Sequence, residues 1–157
     1  NPEPALGERM ALFRDAAAVH GRDLKLGEEV GLGYRFFIAE SQERAIELAR
    51  PYYEEALKFA APLGLTALTS DQIEAVAAGP ASRGVKLPTL EEAVASGTWL
   101  CGPPELIIEH FERVEQQYPG VERINMGAVM GMPLEVFKDQ LTQFSEEVMP
   151  EFVGRSG

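Results

Sequence analysis

Thiol chemistry in this 157-residue chain would have to start at Cys101, its one cysteine, within Gly97-Thr98-Trp99-Leu100-Cys101-Gly102-Pro103-Pro104-Glu105. A thiol attacks as its thiolate, which forms where neighbours lower the pKa; no Lys or Arg adjoins Cys101, so an inert buried side chain is expected. A single cysteine also rules out an internal disulfide and a multi-cysteine zinc site, and it fits a reducing compartment, the cytoplasm. The two histidines offer little more. His20 falls in the last turn of an N-terminal helical pattern, where an imidazolium interacts well with the helix dipole, and no Ser, Cys or paired carboxylate stands beside it. His110 has no ligand partner at a spacing of three or four, so it reads as packed or solvated, and no metal set is expected. No catalytic residue is assigned.

Binding is better represented than catalysis. Thr98 to Cys101 are β-formers or apolar, Gly102-Pro103 forces a turn, and Pro104 and Glu105 suit a helix first turn, where a missing N–H costs nothing and the dipole favours a carboxylate. That is one strand-loop-helix unit. In folds of parallel strands and covering helices, such loops sit at the carboxyl ends of the strands, where ligands bind.

The remaining elements must position this unit. Leu6, Met10, Phe13, Ala16, Ala17 and His20 recur at helical spacing before Gly21. Residues 30–39 are aromatic and branched and read as a strand; Gly31 and Gly33 precede the strand instead of following it, so they do not form a dinucleotide loop. Ser41 caps a helix with Glu43 in its first turn and Ala45, Ile46, Ala49, Tyr52, Tyr53, Ala56, Leu57 and Ala60 on its apolar side, and Pro51 should kink or break it. Between 61 and 96, Pro62, Gly64, Gly79-Pro80, Gly84 and Pro88 punctuate two short helices that open at capping boxes, Thr69 to Gln72 and Thr89 to Glu92. An excursion of this length is either a lid or a plain surface insertion. Residues 98–101 form the next strand, and a helix follows with Leu106, Ile107, Phe111 and Val114 inward, stopping at Tyr118-Pro119-Gly120. A strand over 123–129 and a helix opened by Pro133, with Phe137, Leu141, Phe144 and Val148 inward, complete the chain.

Composition closes off several partners. The chain is 45% hydrophobic, enough for a sizeable core, and its net charge of −11 comes without any Lys/Arg cluster longer than a pair, which argues against nucleic acid and anionic membrane. No stretch reaches the length of a membrane span, and no signal peptide opens the chain. Alternating helices and strands predict an α/β fold with a parallel sheet or barrel. Only three strands are countable, whereas a complete eight-stranded barrel takes about 250 residues. The chain begins with Asn1 instead of Met, and it is expected to be part of a longer protein.

Four short motifs in order carry a resemblance. Cys101-Gly102-Pro103-Pro104-Glu105, Gly120-Val121-Glu122-Arg123-Ile124-Asn125, Gly131-Met132-Pro133 and Glu146-Glu147-Val148-Met149-Pro150 resemble the C-terminal end of the bacterial luciferase-like flavin-dependent monooxygenases. Gly21-Arg22-Asp23 and Phe36 to Ser41 resemble that family's sixth-strand region. The resemblance implies the C-terminal part, about three β/α units, of a TIM-type eight-stranded β/α barrel, with strands six to eight present and the 61–96 excursion at the place of a mobile lid. It implies reduced FMN as cofactor, with a deazaflavin as the alternative, and O₂ and a small organic substrate as reactants. A flavin reductase and a homo- or heterodimer are further partners it allows. Trp99, Cys101 and Gly102 are the residues expected beside the flavin, and Met126, Met130 and Gly131, with Ala128, those expected in the substrate pocket; the plainer role for Trp99 and Met126 is to fill the interior. Pro103 stands where the family usually has Ser or Thr, so no hydroxyl is present there to cap the helix. The isolated chain is expected to be inactive, and a non-catalytic docking module or split-barrel subunit is the competing function.

Overall fold

The protein is described from a computed structural model over residues 3–61, 63, 68–78, 85–127 and 129–154. Pro62, Gly64, Gly79, Pro80, Gly84 and Ala128 lie outside the described residues. Along the chain run α1 (Glu3–Val19), β1 (Gly31–Ile38), α2 (Gln42–Ala60), α3 (Ser70–Ala78), α4 (Leu90–Ala95), β2 (Trp99–Gly102), α5 (Pro104–Gln117), β3 (Arg123–Met126) and α6 (Leu134–Gln143). A π-helical turn, Phe144–Val148, and a 3₁₀ turn, Met149–Glu151, extend α6.

Local chemistry starts and stops these helices as expected. The Ser41 hydroxyl accepts from the Arg44 N–H at 3.1 Å, and Thr89 and Glu92 form a reciprocal capping box on α4. Thr69 and Gln72 exchange the same pair of bonds ahead of α3, at 3.0 and 3.3 Å. Pro104 occupies the first turn of α5, and Pro103 precedes it without a side-chain cap. No break occurs at Pro51: α2 is helical throughout 42–60, because Ala45, Ala49 and Leu57 bury against the sheet on both sides of the proline.

The three strands are parallel, and their order is β2-β1-β3. Consecutive barrel strands six, seven and eight would put β2 in the middle; the centre is taken by β1. Burial explains the change. β1 is the longest strand, and its Phe36-Phe37-Ile38 run is buried on both faces, which suits a central strand, whereas β3 alternates between exposed and half-buried residues and suits an edge. The partners also divide β1 lengthwise: Gly31 to Tyr34 pair with Arg123 to Met126, and Arg35 to Ile38 pair with Trp99 to Gly102.

Helices cover both faces of the sheet. Phe37, Trp99 and Cys101 pack with Ala45 and Ala49 of α2 and Leu90 of α4 on one face. Phe36, Ile38 and Leu100 pack with Ile107 and Phe111 of α5 and Val148 on the other. A third cluster, Met10, Leu32, Val114 and Tyr118, fastens α1 beside the start of β1.

Several predicted positions move. β1 is one residue shorter at each end than 30–39, β2 is offset by one residue from 98–101, and β3 ends at Met126 instead of 129, because its ladder stops once the Gly127 N–H has bonded the Tyr34 carbonyl at 3.3 Å. Val129 then turns into the α2 side of the core. On α1, Met10 and Ala17 are buried but Phe13 and Ala16 are exposed, and His20 lies just past the helix end, exposed. On α5, Leu106 is exposed and His110 takes an inward place, edge-on to Tyr34 at 5.1 Å and to Phe111 at 5.7 Å between ring centroids. On α6 the predicted Leu141 is exposed and Gln140 takes a buried place, while Phe137, like Val136, is half-buried and Phe144 and Val148 pack inward.

Candidate functional site

A strand order in which the second crossover returns across the first creates a switch point, and ligands in open α/β sheets bind outside the carboxyl ends of the strands at such a point. A cleft of about 590 Å³ lies at the carboxyl ends of β1 and β2 and against α6, and none of its lining residues belongs to β3. Its apolar wall is Phe37, Ile38, Ala39, Leu48 and Val136, and the Pro103-Pro104-Glu105 turn forms one side. Gly102 shapes that turn: its φ is +151°, and a Cβ there would stand 2.8 Å from Leu106 Cδ1.

Gln140 builds the cleft from behind. β3 ends before the carboxyl half of β1, which leaves that edge of Ile38 without a neighbouring strand. The Ile38 N–H donates to Gln140 Oε1 at 2.5 Å, and Gln140 Nε2 donates to the Ile38 carbonyl at 3.1 Å and to Gln143 Oε1 at 3.3 Å. A side-chain amide thus replaces one rung of a missing strand. Buried backbone groups demand such partners.

The electrostatics are one-sided. Glu40, Glu105, Asp139 and Glu147 line the cleft, and no Lys or Arg is among its lining residues. The start of α5 does not offset them, because Pro103 and Pro104 carry no N–H and Glu105 adds a carboxylate where an anion would dock. The cleft suits an apolar body and repels a phosphate.

Trp99 and Cys101 do not open into this cleft. Both are buried on the α2 face, at 4% and 3% exposure, and β2's open edge beside them borders a smaller cavity of about 210 Å³ with Gly97, Leu106 and His110. Burial pushes the Cys101 thiol up to about 12, so it stays protonated at neutral pH. In the folded chain Cys101 is expected to react with Ellman's reagent near pH 8 on the order of a thousandfold more slowly than after denaturation, read as thionitrobenzoate release. Met126 is half-buried on the opposite face, beside the α5 cluster, while Met130 is exposed and Gly131 lies against Glu55 of α2. The predicted residues therefore fall on two faces, and only the turn that follows Gly102 borders the large cleft. None of the described residues between 61 and 96 lines it.

Gln140 and the four carboxylates were not anticipated. The carboxylates come from the end of β1, the start of α5 and the α6 helix with its π-helical extension; Gln140 did leave a trace, as an amide three and four residues after Phe137 and Val136 and four before Phe144.

No protein-family model matches the chain, and no curated protein matches it. Solved structures do. Monooxygenase RslO1 from Streptomyces bottropensis superposes with a TM-score of 0.64 over 98% of this chain at 19% identity. The oxygenating constituent of 3,6-diketocamphane monooxygenase from the CAM plasmid of Pseudomonas putida, a type II Baeyer-Villiger monooxygenase in complex with FMN, superposes at 0.60 over 94% of this chain at 17% identity. What these likenesses share is the fold. The chain spans about 40% of the length of each of the two proteins. Among the described residues no helix is long and apolar enough to cross a membrane, and no three His, Cys, Asp or Glu are grouped to hold a metal.

Proposed function

We propose that this chain is the C-terminal portion of a flavin-dependent monooxygenase built on a β/α barrel. The observation that carries the reading is the superposition on two monooxygenases over nearly the whole chain but only 40% of theirs. Bound and reduced, FMN would supply the reaction with O₂ that oxidises a small organic substrate. This chain's own part is narrower. Phe37, Ile38, Leu48 and Val136 give a dry apolar wall, and Gln140 keeps that wall rigid. The flavin phosphate does not fit among Glu40, Glu105, Asp139 and Glu147, so it would be held by a portion that this chain lacks. Trp99 and Cys101 would act as packing behind the wall.

Two outcomes test the proposal. The reading frame ahead of Asn1 is expected to encode the missing β/α units, and these 157 residues alone, mixed with FMN and desalted, are expected to retain no yellow chromophore. Tight flavin retention by the isolated chain would overturn the division of labour. A frame without further β/α units favours the second reading, a docking or split-barrel subunit, for which the open outer edges of β2 and β3 speak.

A further inference from the structure

A second cavity, of about 430 Å³, opens on the α2 face at the amino end of the strands, away from the acidic cleft. Its floor is Trp99, with the Tyr53 ring edge-on at 5.5 Å, and its walls include Ala56, Leu57 and Leu68. Arg35 stands beside Trp99, since the two are register partners on β1 and β2, and both line the cavity.

The polar groups around this cavity are already committed, with one exception. The Tyr53 hydroxyl donates to the Pro88 carbonyl at 3.1 Å, and Thr98 Oγ1 donates to the Ala93 carbonyl at 3.0 Å. Ser96 Oγ donates to the same carbonyl at 3.0 Å. The one carboxylate in the lining, Glu92, is paired with Lys86 Nζ at 2.6 Å. Among the described residues the Arg35 guanidinium makes no hydrogen bond and no ion pair. A guanidinium offers five donors and keeps its charge at any physiological pH. Its place at the mouth of an apolar, aromatic-floored cavity, in a chain of net charge −11, selects for a molecule with an apolar body and one anionic end.

We propose that this cavity binds an apolar monocarboxylate, its chain against Trp99, Tyr53 and Leu57 and its carboxylate on Arg35. The site is separate from the cleft, and its occupation requires no flavin. It gives the chain a binding function independent of the monooxygenase reading.

Trp99 is the only tryptophan, so intrinsic fluorescence reports on the cavity directly. The full chain is titrated with octanoate, 1-octanol and octylammonium, probes of equal length that differ in head-group charge. Saturable change with octanoate, about tenfold tighter than with octanol, and none with octylammonium is the expected result. Arg35→Gln is expected to weaken octanoate about tenfold and leave octanol unchanged, whereas Arg123→Gln, outside the cavity, leaves both unchanged. Equal affinity for octanoate and octanol, preference for octylammonium, or no saturable response overturns the proposal. The wild-type comparison of the three probes decides this even if Arg35→Gln does not fold.

Discussion

Gln140→Ala is expected to lower the stability of the chain by about 3 kcal/mol, seen as a fall of roughly 6–12 °C in Tm or an equivalent shift in urea midpoint. The reason is local. Gln140 is 6% exposed and both accepts from the Ile38 N–H and donates to the Ile38 carbonyl, so truncation strands two buried backbone groups at once. Gln140→Glu separates the two bonds: the acceptor for the Ile38 N–H survives, the donor to the carbonyl is lost, and a carboxylate is buried near Asp139 and Glu147. Burial and like charge raise such a group's pKa in the folded state above its unfolded value of about 4.3. Stability then falls as pH rises through that interval, so Gln140→Glu should melt higher near pH 4 than near pH 7, in contrast to Gln140→Ala, whose deficit stays nearly constant with pH. Equal stability of Gln140→Ala and wild type would mean that water replaces the amide and that the cleft wall is wet.

Gly120→Ala is expected to cost about as much, again about 3 kcal/mol, by an unrelated route. A Cβ at residue 120 would stand 2.5 Å from the Glu28 backbone nitrogen and 2.9 Å from the Leu26 carbonyl oxygen, with no flexible side chain to yield. The same glycine donates its N–H to that carbonyl at 2.9 Å, and across the contact a Cβ on Gly27 would meet Val121 Cγ2 at 2.6 Å. The loop before β1 and the turn before β3 are thus interlocked. This interlock sets the register in which Gly31 faces Arg123. Comparison of Gly120→Ala with Gly33→Ala, where a Cβ meets nothing within 4 Å, separates close approach from the general cost of losing a glycine. Gly33→Ala should be nearly neutral.

What could be read ahead of the structure follows the range of the interactions involved. Ser41, the Thr69 and Thr89 boxes and Pro104 act on backbone groups within one turn, and each marked its helix correctly. Inward stripes were legible on α2, and on α6 at Phe144 and Val148, whereas Leu141 is exposed beside Gln140, whose amide is held inward by the Ile38 backbone. Strand order was out of reach. The Phe36-Phe37-Ile38 run announces a strand buried on both faces, but which neighbours flank it depends on pairings about 65 and 90 residues away. The cleft was half visible: the turn after Gly102 was singled out, while its carboxylates at 40, 105, 139 and 147 meet only after the sheet forms. Arg35 went unnoticed for the same reason, since nothing but the β1–β2 register sets it beside Trp99.

The lengthwise division of β1 has a kinetic consequence. Because one strand serves two partners in series, its amides record two separate dockings within eight residues. Solvent exchange at 31–34 should follow the release of β3 and its interlocked turn, and exchange at 35–38 the release of β2 and the Gln140 amide. The two halves should therefore carry different opening free energies, and Gly120→Ala should accelerate the first half while Gln140→Ala accelerates the second. The central strand behaves as two adjoining reporters, with the boundary between Tyr34 and Arg35.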